Sequence, residues 1–216
     1  MTYERIISYI PHLLKGFSIT LKLSILSITL ATIIGLIMAL MRVSRIKSLS
    51  FIAKWYVIIV RNIPDIVLIF YIFYVMPSIG IKLGPFMAGL IALSIHFGAF
   101  ISEIFKACIL SIEKGQWEAA HVLNMPNALT LRRIILPQAL RRAVPGWTNY
   151  FIGMFKATSL VSAVAVQELL YTAKTIGAYN FRYYELYLIV AIIYFLVCFT
   201  ASSLIRRFER KTLVVY

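Results

Sequence analysis

The chain has 216 residues, of which 61% are hydrophobic and 14% charged, with a net charge of +14 and a mean hydropathy of +0.87. A water-soluble domain carries about a quarter charged residues, so the composition excludes one and indicates a membrane protein. The basic excess does not indicate nucleic acid, because lysines and arginines cluster at the ends of apolar stretches and form no groove with interleaved aromatics.

Residues 1–15 read as a polar or interfacial lead-in, amphipathic through Ile6, Ile7, Ile10, Leu13 and Leu14. Glu4, Arg5, Pro11 and His12 interrupt it and no cleavage site follows, so it is not read as a signal peptide. A first span is expected at about residues 17–41, long enough for a bilayer core, with Lys22 able to snorkel to the interface. Arg42, Arg45 and Lys47 follow, which by the positive-inside rule puts that end in the cytoplasm and the N-terminus outside. A second span at about 53–76 is interrupted by Arg61, Asn62, Ile63, Pro64 and Asp65. Pro64 removes a donor and disfavours helix at Ile63, which predicts a kink or an unwound stretch whose backbone groups a ligand could use. The Pro77 to Pro85 connection carries Lys82 alone and is expected outside.

A third span at about 86–110 carries His96 and Glu103. The fourth, at about 144–170, is the least apolar, with Asn149, Lys156, Thr158, Ser159, Ser162, Gln167 and Glu168, and is expected to face the bundle interior. The fifth, at about 185–205, ends in Arg206, Arg207, Arg210 and Lys211, a tail expected in the cytoplasm. The expectation is an all-α membrane protein, one domain over residues 1–216 with about five transmembrane helices. Cys108 and Cys198 sit in apolar runs and read as buried free thiols, and the histidines at 12, 96 and 121 lack metal-ligand spacing, so no metal site is expected.

Between the third and fourth spans, residues at about 113–140 are too polar to cross a bilayer. Two short helical patterns occur there, one placing Ala119, Ala120 and Leu123 together and one placing Leu131, Ile134 and Ile135 together, with Asn124 and Pro126 supplying a bend. Such a basic, amphipathic helix-turn-helix on the water side is a docking surface. Glu118-Ala119-Ala120, the bend at Asn124 and the later Ile134-Ile135-Leu136-Pro137 resemble the EAA loop of permease subunits of ATP-binding-cassette importers. With Gly115-Gln116-Trp117 before and Gln138-Ala139-Leu140-Arg141 after, the resemblance is greatest to the polar amino-acid permeases, although the family usually has Gly where this chain has Asn124.

The resemblance implies a MetI-like permease architecture in a bacterial inner membrane, moving polar amino acids inward. It implies coupling to two ATP-binding-cassette ATPase subunits through Glu118, Ala119, Ala120, Leu123, Asn124, Leu136 and Pro137. A second permease chain, identical or related, and an extracytoplasmic substrate-binding protein are further implied partners, beside membrane lipid. The sequence contains no Gly-x-x-x-x-Gly-Lys-Ser/Thr string, so the chain is not expected to be an enzyme or to hold a cofactor, and ATP and Mg²⁺ are expected in the partner ATPase.

Three further stretches resemble that family. Arg61 to Asp65 parallels its Arg-Gly-Thr-Pro. At this spacing Arg61 and Asp65 either pair on one helix face, or Asp65 recognises a cationic group of a substrate. Gly98 to Lys106 resembles the family's Gly-Ala-Tyr-x-x-Glu-x-Phe-Arg/Lys, where either Glu103 and Lys106 form an intrahelical pair or Glu103 lies at the substrate. Lys156 to Ser162 parallels Lys-Asp/Asn-Thr-Ser-Leu-Val-Ser, where Thr158, Ser159 and Ser162 either line a pathway or bond neighbouring helices. Rival readings are an importer permease for methionine or an osmolyte, and a self-sufficient channel or secondary transporter. The latter usually shows inverted repeats, and none is visible here.

Overall fold

The computed structural model describes residues 3–213, all in helices and their connections, with no strand among the described residues. Helix α1 runs Tyr3–Val43 and α2 Lys47–Arg61. After a break at Asn62, Ile63 and Pro64, α3 covers Asp65–Phe70 and continues through a π turn, Tyr71–Val75, into a 3-10 turn, Met76–Ile79. Helix α4 is Pro85–Leu110, α5 Lys114–Val122, α6 Asn127–Thr130 and α7 Leu136–Ala157. A 3-10 stretch, Thr158–Val164, leads to α8 at Leu169–Asn180 and α9 at Tyr183–Leu213.

Among the described residues three segments are long and apolar enough to cross a membrane unbroken, Ser8–Val43, Pro85–Leu110 and Tyr183–Ile205; counting each of two bent helix pairs as one span gives up to five. The expected third and fifth spans coincide with straight helices. The other three expectations need revision in detail. The lead-in is no separate interfacial segment, because α1 is continuous from Tyr3 and seats Tyr9, Leu13 and Phe17 against α8 and α9. The expected kink in the second span is a 105° bend between α2 and the following helical segment, too sharp for both halves to run along one axis. Pro64 explains the break, since neither it nor the residue before it favours continued helix. The expected fourth span straddles a second bend, of 45°, between the segment ending at Val164 and α8. Met1, Thr2 and residues 214–216, to which the sequence assigns opposite sides of the membrane, lie outside the described residues, as do the side chains of Arg206, Arg210 and Lys211.

Helix α4 is the axis of the fold, packed by α1, α2, α3, α7 and the Thr158–Val164 turn. In its most apolar stretch 67% of residues are buried, against 6% in α9, so α4 is interior and α9 offers most of its surface to lipid or a partner. Lipid gives helices little hydrophobic reason to associate, so close van der Waals contact between small residues does the work. The α1 face toward the core follows this rule: Gly16, Thr20, Ser24, Ser27, Ala31, Gly35 and Ala39 recur every three or four residues and are buried. A Cβ on Gly35 would stand 2.7 Å from Ile101 Cγ2, and one on Gly98 would stand 2.9 Å from Ile34 Cγ2, so each glycine admits a side chain of the other helix. Ser24 Oγ donates to Thr20 O at 2.7 Å within α1, and Ser94 Oγ donates to Leu90 O at 2.6 Å within α4 with a longer contact, 3.4 Å, to Ser27 O across the seam. Trp147 Nε1 donates to Thr32 Oγ1 at 2.7 Å and ties α7 to α1.

Candidate functional site

The loop after α4 is built on a helix stop. Asn124 has φ 53°, the left-handed conformation expected for it, and two hydrogen bonds close the end of α5: Asn124 N–H to His121 O at 2.9 Å and Met125 N–H to Ala120 O at 3.0 Å. This pair of nested bonds is the Schellman arrangement, which satisfies carbonyls that a helix C-terminus leaves open. Asn124 thus closes the turn as tightly as Gly would. Because a residue with a Cβ and no short polar side chain to bond locally is disfavoured in this conformation, whereas Gly has no Cβ to crowd it, Asn124→Ala should destabilise the loop by about 1 kcal/mol and Asn124→Gly should not. Limited proteolysis between α5 and α6 in the assembled transporter reads the difference.

The face of α5 differs from the sequence reading. Ala120 is buried and packs inward, while Glu118, Ala119 and Leu123 are exposed, so Ala119, Ala120 and Leu123 do not share one face. A spacing of four keeps Ala119 and Leu123 together, whereas Ala120 is turned about 100° from Ala119. Ala120 is therefore small because its own chain crowds it. The outward surface carries Val122 and Leu123, 81% and 73% exposed, two apolar side chains on an otherwise polar loop.

The second helical pattern of the loop is not a separate helix. From Asn127 the chain stays helical through a π turn, Leu131–Ile135, into α7, so Leu136 and Pro137 lie within one long helix. Pro137 has no N–H and its ring crowds the carbonyl four residues back; a widened turn relieves both demands, and the other π turn likewise precedes a proline, Pro77. Leu136 packs on a small apolar cluster containing Ile109, Ile112, Ile135 and Ala139, which roots the loop on the ends of α4 and α7, and Pro137 is exposed. Arg142 Nη1 donates to Ser111 O at 2.9 Å, clamping α7 to the residue that follows α4.

Of the charged residues expected along a pathway, Arg61 and Glu103 meet each other. Glu103 Oε1 lies 3.0 Å from Arg42 Nη1 and 3.1 Å from Arg61 Nη1, so one carboxylate oxygen joins the ends of α1 and α2 to α4. The Arg61 guanidinium also rests over the Phe100 ring, 5.1 Å from its centroid. Two expectations are corrected here. Arg61 does not pair with Asp65, because the break at Asn62 to Pro64 destroys the four-residue helical register; Glu103 pairs across helices and not with Lys106. Asp65 opens α3, its Oδ1 accepting from Ile66 N–H at 3.0 Å; among the described residues no lysine or arginine lies within ion-pair distance of it, and His96 of α4 is the basic group near enough to feel its charge. Pro64, exposed beside it, has extended backbone and begins α3.

The hydroxyls of the fourth span lie in the 3-10 stretch, which α3 packs against, so the irregular backbone of the two bent pairs converges beside α4. Thr158 is fully buried and donates to Phe155 O at 2.7 Å, and Ser159 Oγ donates to Lys156 O at 2.8 Å. Both hydroxyls bond their own helix, while Ser162 is half-buried. The stretch ends at Ala165 with φ 61°, closed by Ala165 N–H to Ser162 O at 3.1 Å and Val166 N–H to Val161 O at 3.3 Å, a second Schellman stop with alanine in the left-handed position.

Glu168 follows, with no exposed surface, and the sequence reading named it without giving it a role. Its Oε1 accepts from Tyr171 N–H at 2.7 Å and its Oε2 from Leu170 N–H at 2.9 Å and Tyr194 O–H at 3.2 Å. Thr20 Oγ1 accepts from Leu169 N–H at 3.1 Å beside it. A carboxylate immediately before an apolar helix was the available signal: it caps α8 and complements the positive end of the helix dipole, while tying α8 to α1 and α9.

Residues 31–214 match the family described as binding-protein-dependent transport system inner membrane component. The L-cystine transport system permease protein of Bacillus subtilis is 41% identical over 205 residues, 94% of this chain and 88% of that protein. The putative glutamine transport system permease protein of Rickettsia bellii is 32% identical over 216 residues, covering 98% of this chain and 99% of its own. A crystal structure of an amino acid ABC transporter with histidines superposes with a TM-score of 0.90 at 35% identity, covering 98% of this chain and 99% of that one. The MetNI methionine ABC transporter, at 21% identity and a TM-score of 0.72, shares the fold. A helical inner-membrane architecture, a capped loop rooted between its long helices and a match over most of its length place this chain in the family of binding-protein-dependent transport inner membrane components, the permease parts of ABC importers, which work with an ATPase and a binding protein.

Proposed function

We propose that this chain is the permease subunit of an ATP-driven importer of polar amino acids, acting as one of two identical or related permease chains above two ATPase subunits. The observation that carries the reading is the rigidly stopped helix α5, which presents Val122 and Leu123 outward from a loop rooted on α4 and α7. Glu118, Ala119 and Leu123 face the ATPase, and Ala120, Asn124, Leu136 and Pro137 hold that surface in shape. ATP and Mg²⁺ bind the ATPase subunits, whose closure moves α5 and with it α4 and α7; the permease acts as a two-state switch biased by its partners. The loop and the C-terminal tail lie in the cytoplasm and the N-terminus outside, following the basic clusters at Arg42 to Lys47 and Arg132 to Arg142.

Leu123→Asp should weaken docking by about 1–3 kcal/mol, since it buries an unpaired charge in an apolar contact, while the spans remain inserted. Co-purification of the ATPase with wild type but not with the variant is the expected outcome, and equal recovery would remove α5 from the contact.

The substrate class is read from Asp65 beside the converging breaks. With no lysine or arginine at ion-pair distance and His96 as its basic neighbour, this carboxylate offers its charge to a substrate ammonium or a cationic side chain. Asp65→Asn should leave complex yield unchanged and lower ATP-dependent uptake in proteoliposomes by about ten-fold for arginine or lysine and less for glutamine. Equal uptake of all three by the variant would exclude Asp65 from the pathway. The methionine and osmolyte readings predict no uptake of these substrates by the wild type.

A further inference from the structure

A cavity of about 710 Å³ opens between α5 and the loop-side ends of α1 and α4. Its inner wall is apolar, formed by Leu40 and Val43 of α1, Leu110 of α4 and Leu131 below α6, above buried Ile109 and Ile112. Arg45 and Lys114, both exposed, line it, with Glu118 as the acidic residue opposing them. Two positive charges against one negative leave the lining net positive, and Ser44 and Asn127 add neutral hydrogen-bonding groups. Trp117 is the aromatic wall, contributed by α5.

We propose that this cavity binds one anionic phospholipid of the adjoining leaflet, its phosphate held by Arg45 and Lys114 and the upper part of an acyl chain laid against the α1 and α4 ends. Three observations select this occupant. The cavity begins where two helices long and apolar enough to cross a membrane end, which is where lipid headgroups begin. Its lining is amphiphilic, so a free inorganic anion would leave the apolar wall wet and an uncharged amphiphile would leave the cations without a partner. Trp117 adds an indole beside those helix ends, and indoles are favoured where a membrane meets water. A lipid seated here packs between α5 and the helix ends that α5 must move, so the surface offered to a partner depends on the leaflet's charge. The inference concerns lipid and holds whether or not the amino-acid reading does.

The assembled transporter is reconstituted in phosphatidylcholine vesicles containing, at equal mole fraction, either brominated-chain phosphatidylglycerol or brominated-chain phosphatidylcholine. The Trp117 emission is taken as the difference between the protein and its Trp117→Phe variant. Stronger quenching by the phosphatidylglycerol is expected. Arg45→Gln with Lys114→Gln should weaken that preference about five-fold for each cation lost, while Arg133→Gln with Arg141→Gln, exposed cations outside the cavity, should retain it. Equal quenching by both lipids would mark a non-selective annulus and overturn the proposal. So would quenching by neither, which means protein fills the cavity, and so would a preference that survives loss of Arg45 and Lys114 or disappears with Arg133 and Arg141.

Discussion

Replacing Glu168 with Ala should abolish recovery of a folded complex. The substitution strips the N–H groups of Leu170 and Tyr171 and the Tyr194 hydroxyl of an acceptor that has no exposed surface of its own. Each of the three donors left without an acceptor costs about 1–3 kcal/mol, so the sum is about 3–9 kcal/mol, a large part of what holds a domain folded. Glu168→Gln keeps one acceptor oxygen but presents an amide donor to the remaining N–H or O–H group, and should cost about half as much. The expected series in detergent is a monodisperse wild type, a Gln variant with lowered thermal midpoint, and an aggregated Ala variant. An Ala variant as stable as wild type would mean that α8 needs no cap. Because Glu168 joins α1, α8 and α9 at the second bend, damage should spread to the Thr158–Val164 turn, which a merely local cap would not reach.

Glu103→Gln should lower the unfolding midpoint more than Arg61→Gln does, because the carboxylate serves two arginines that differ in burial. The Arg42 side chain is 9% exposed, and without Glu103 its guanidinium is left buried with no counter-charge. Breaking such a pair from one side costs about 3–5 kcal/mol where burial is complete; with Glu103 35% exposed, about 2–3 kcal/mol is expected. Arg61, 41% exposed and resting on Phe100, should cost about 1 kcal/mol or less when neutralised. Combining Arg42→Gln with Glu103→Gln should restore much of the midpoint, since removing both charges leaves none buried alone. The midpoints of these variants and of Arg42→Gln alone, measured on the purified complex, decide this; an additive double variant would show that Arg42 and Glu103 stabilise the fold independently. Uptake should fall with Glu103→Gln beyond the loss of protein, because Arg61 is the last helical residue before the 105° bend and Glu103 fixes its position on α4.

What the order of residues determined alone is what depends on local chemistry. Apolar length marks the helices around 86–110 and 185–205, and the third and fifth expected spans coincide with Pro85–Leu110 and Tyr183–Ile205. Asn124 was legible as a helix stop because left-handed preference belongs to the residue itself, and Pro64 as a break because its ring acts on its own neighbours. The EAA-like run from Glu118 to Pro137 carried the family through its spacing. Tertiary structure decided which groups meet. A spacing of four suggested that Arg61 would take Asp65, but the register needed for that exists only inside a helix, and the bend gave Arg61 to Glu103, 42 residues away. Periodicity grouped Ala120 with Ala119, and packing of α5 on its own chain separated them. Glu168 looked like one polar residue among several in a span, because a helix cap can be recognised only once the helix start is known, and that start follows from the left-handed turn at Ala165. Residue identity sets backbone preference, whereas the partner of a buried charge is set by whichever helix the fold carries past it, and that is long-range geometry.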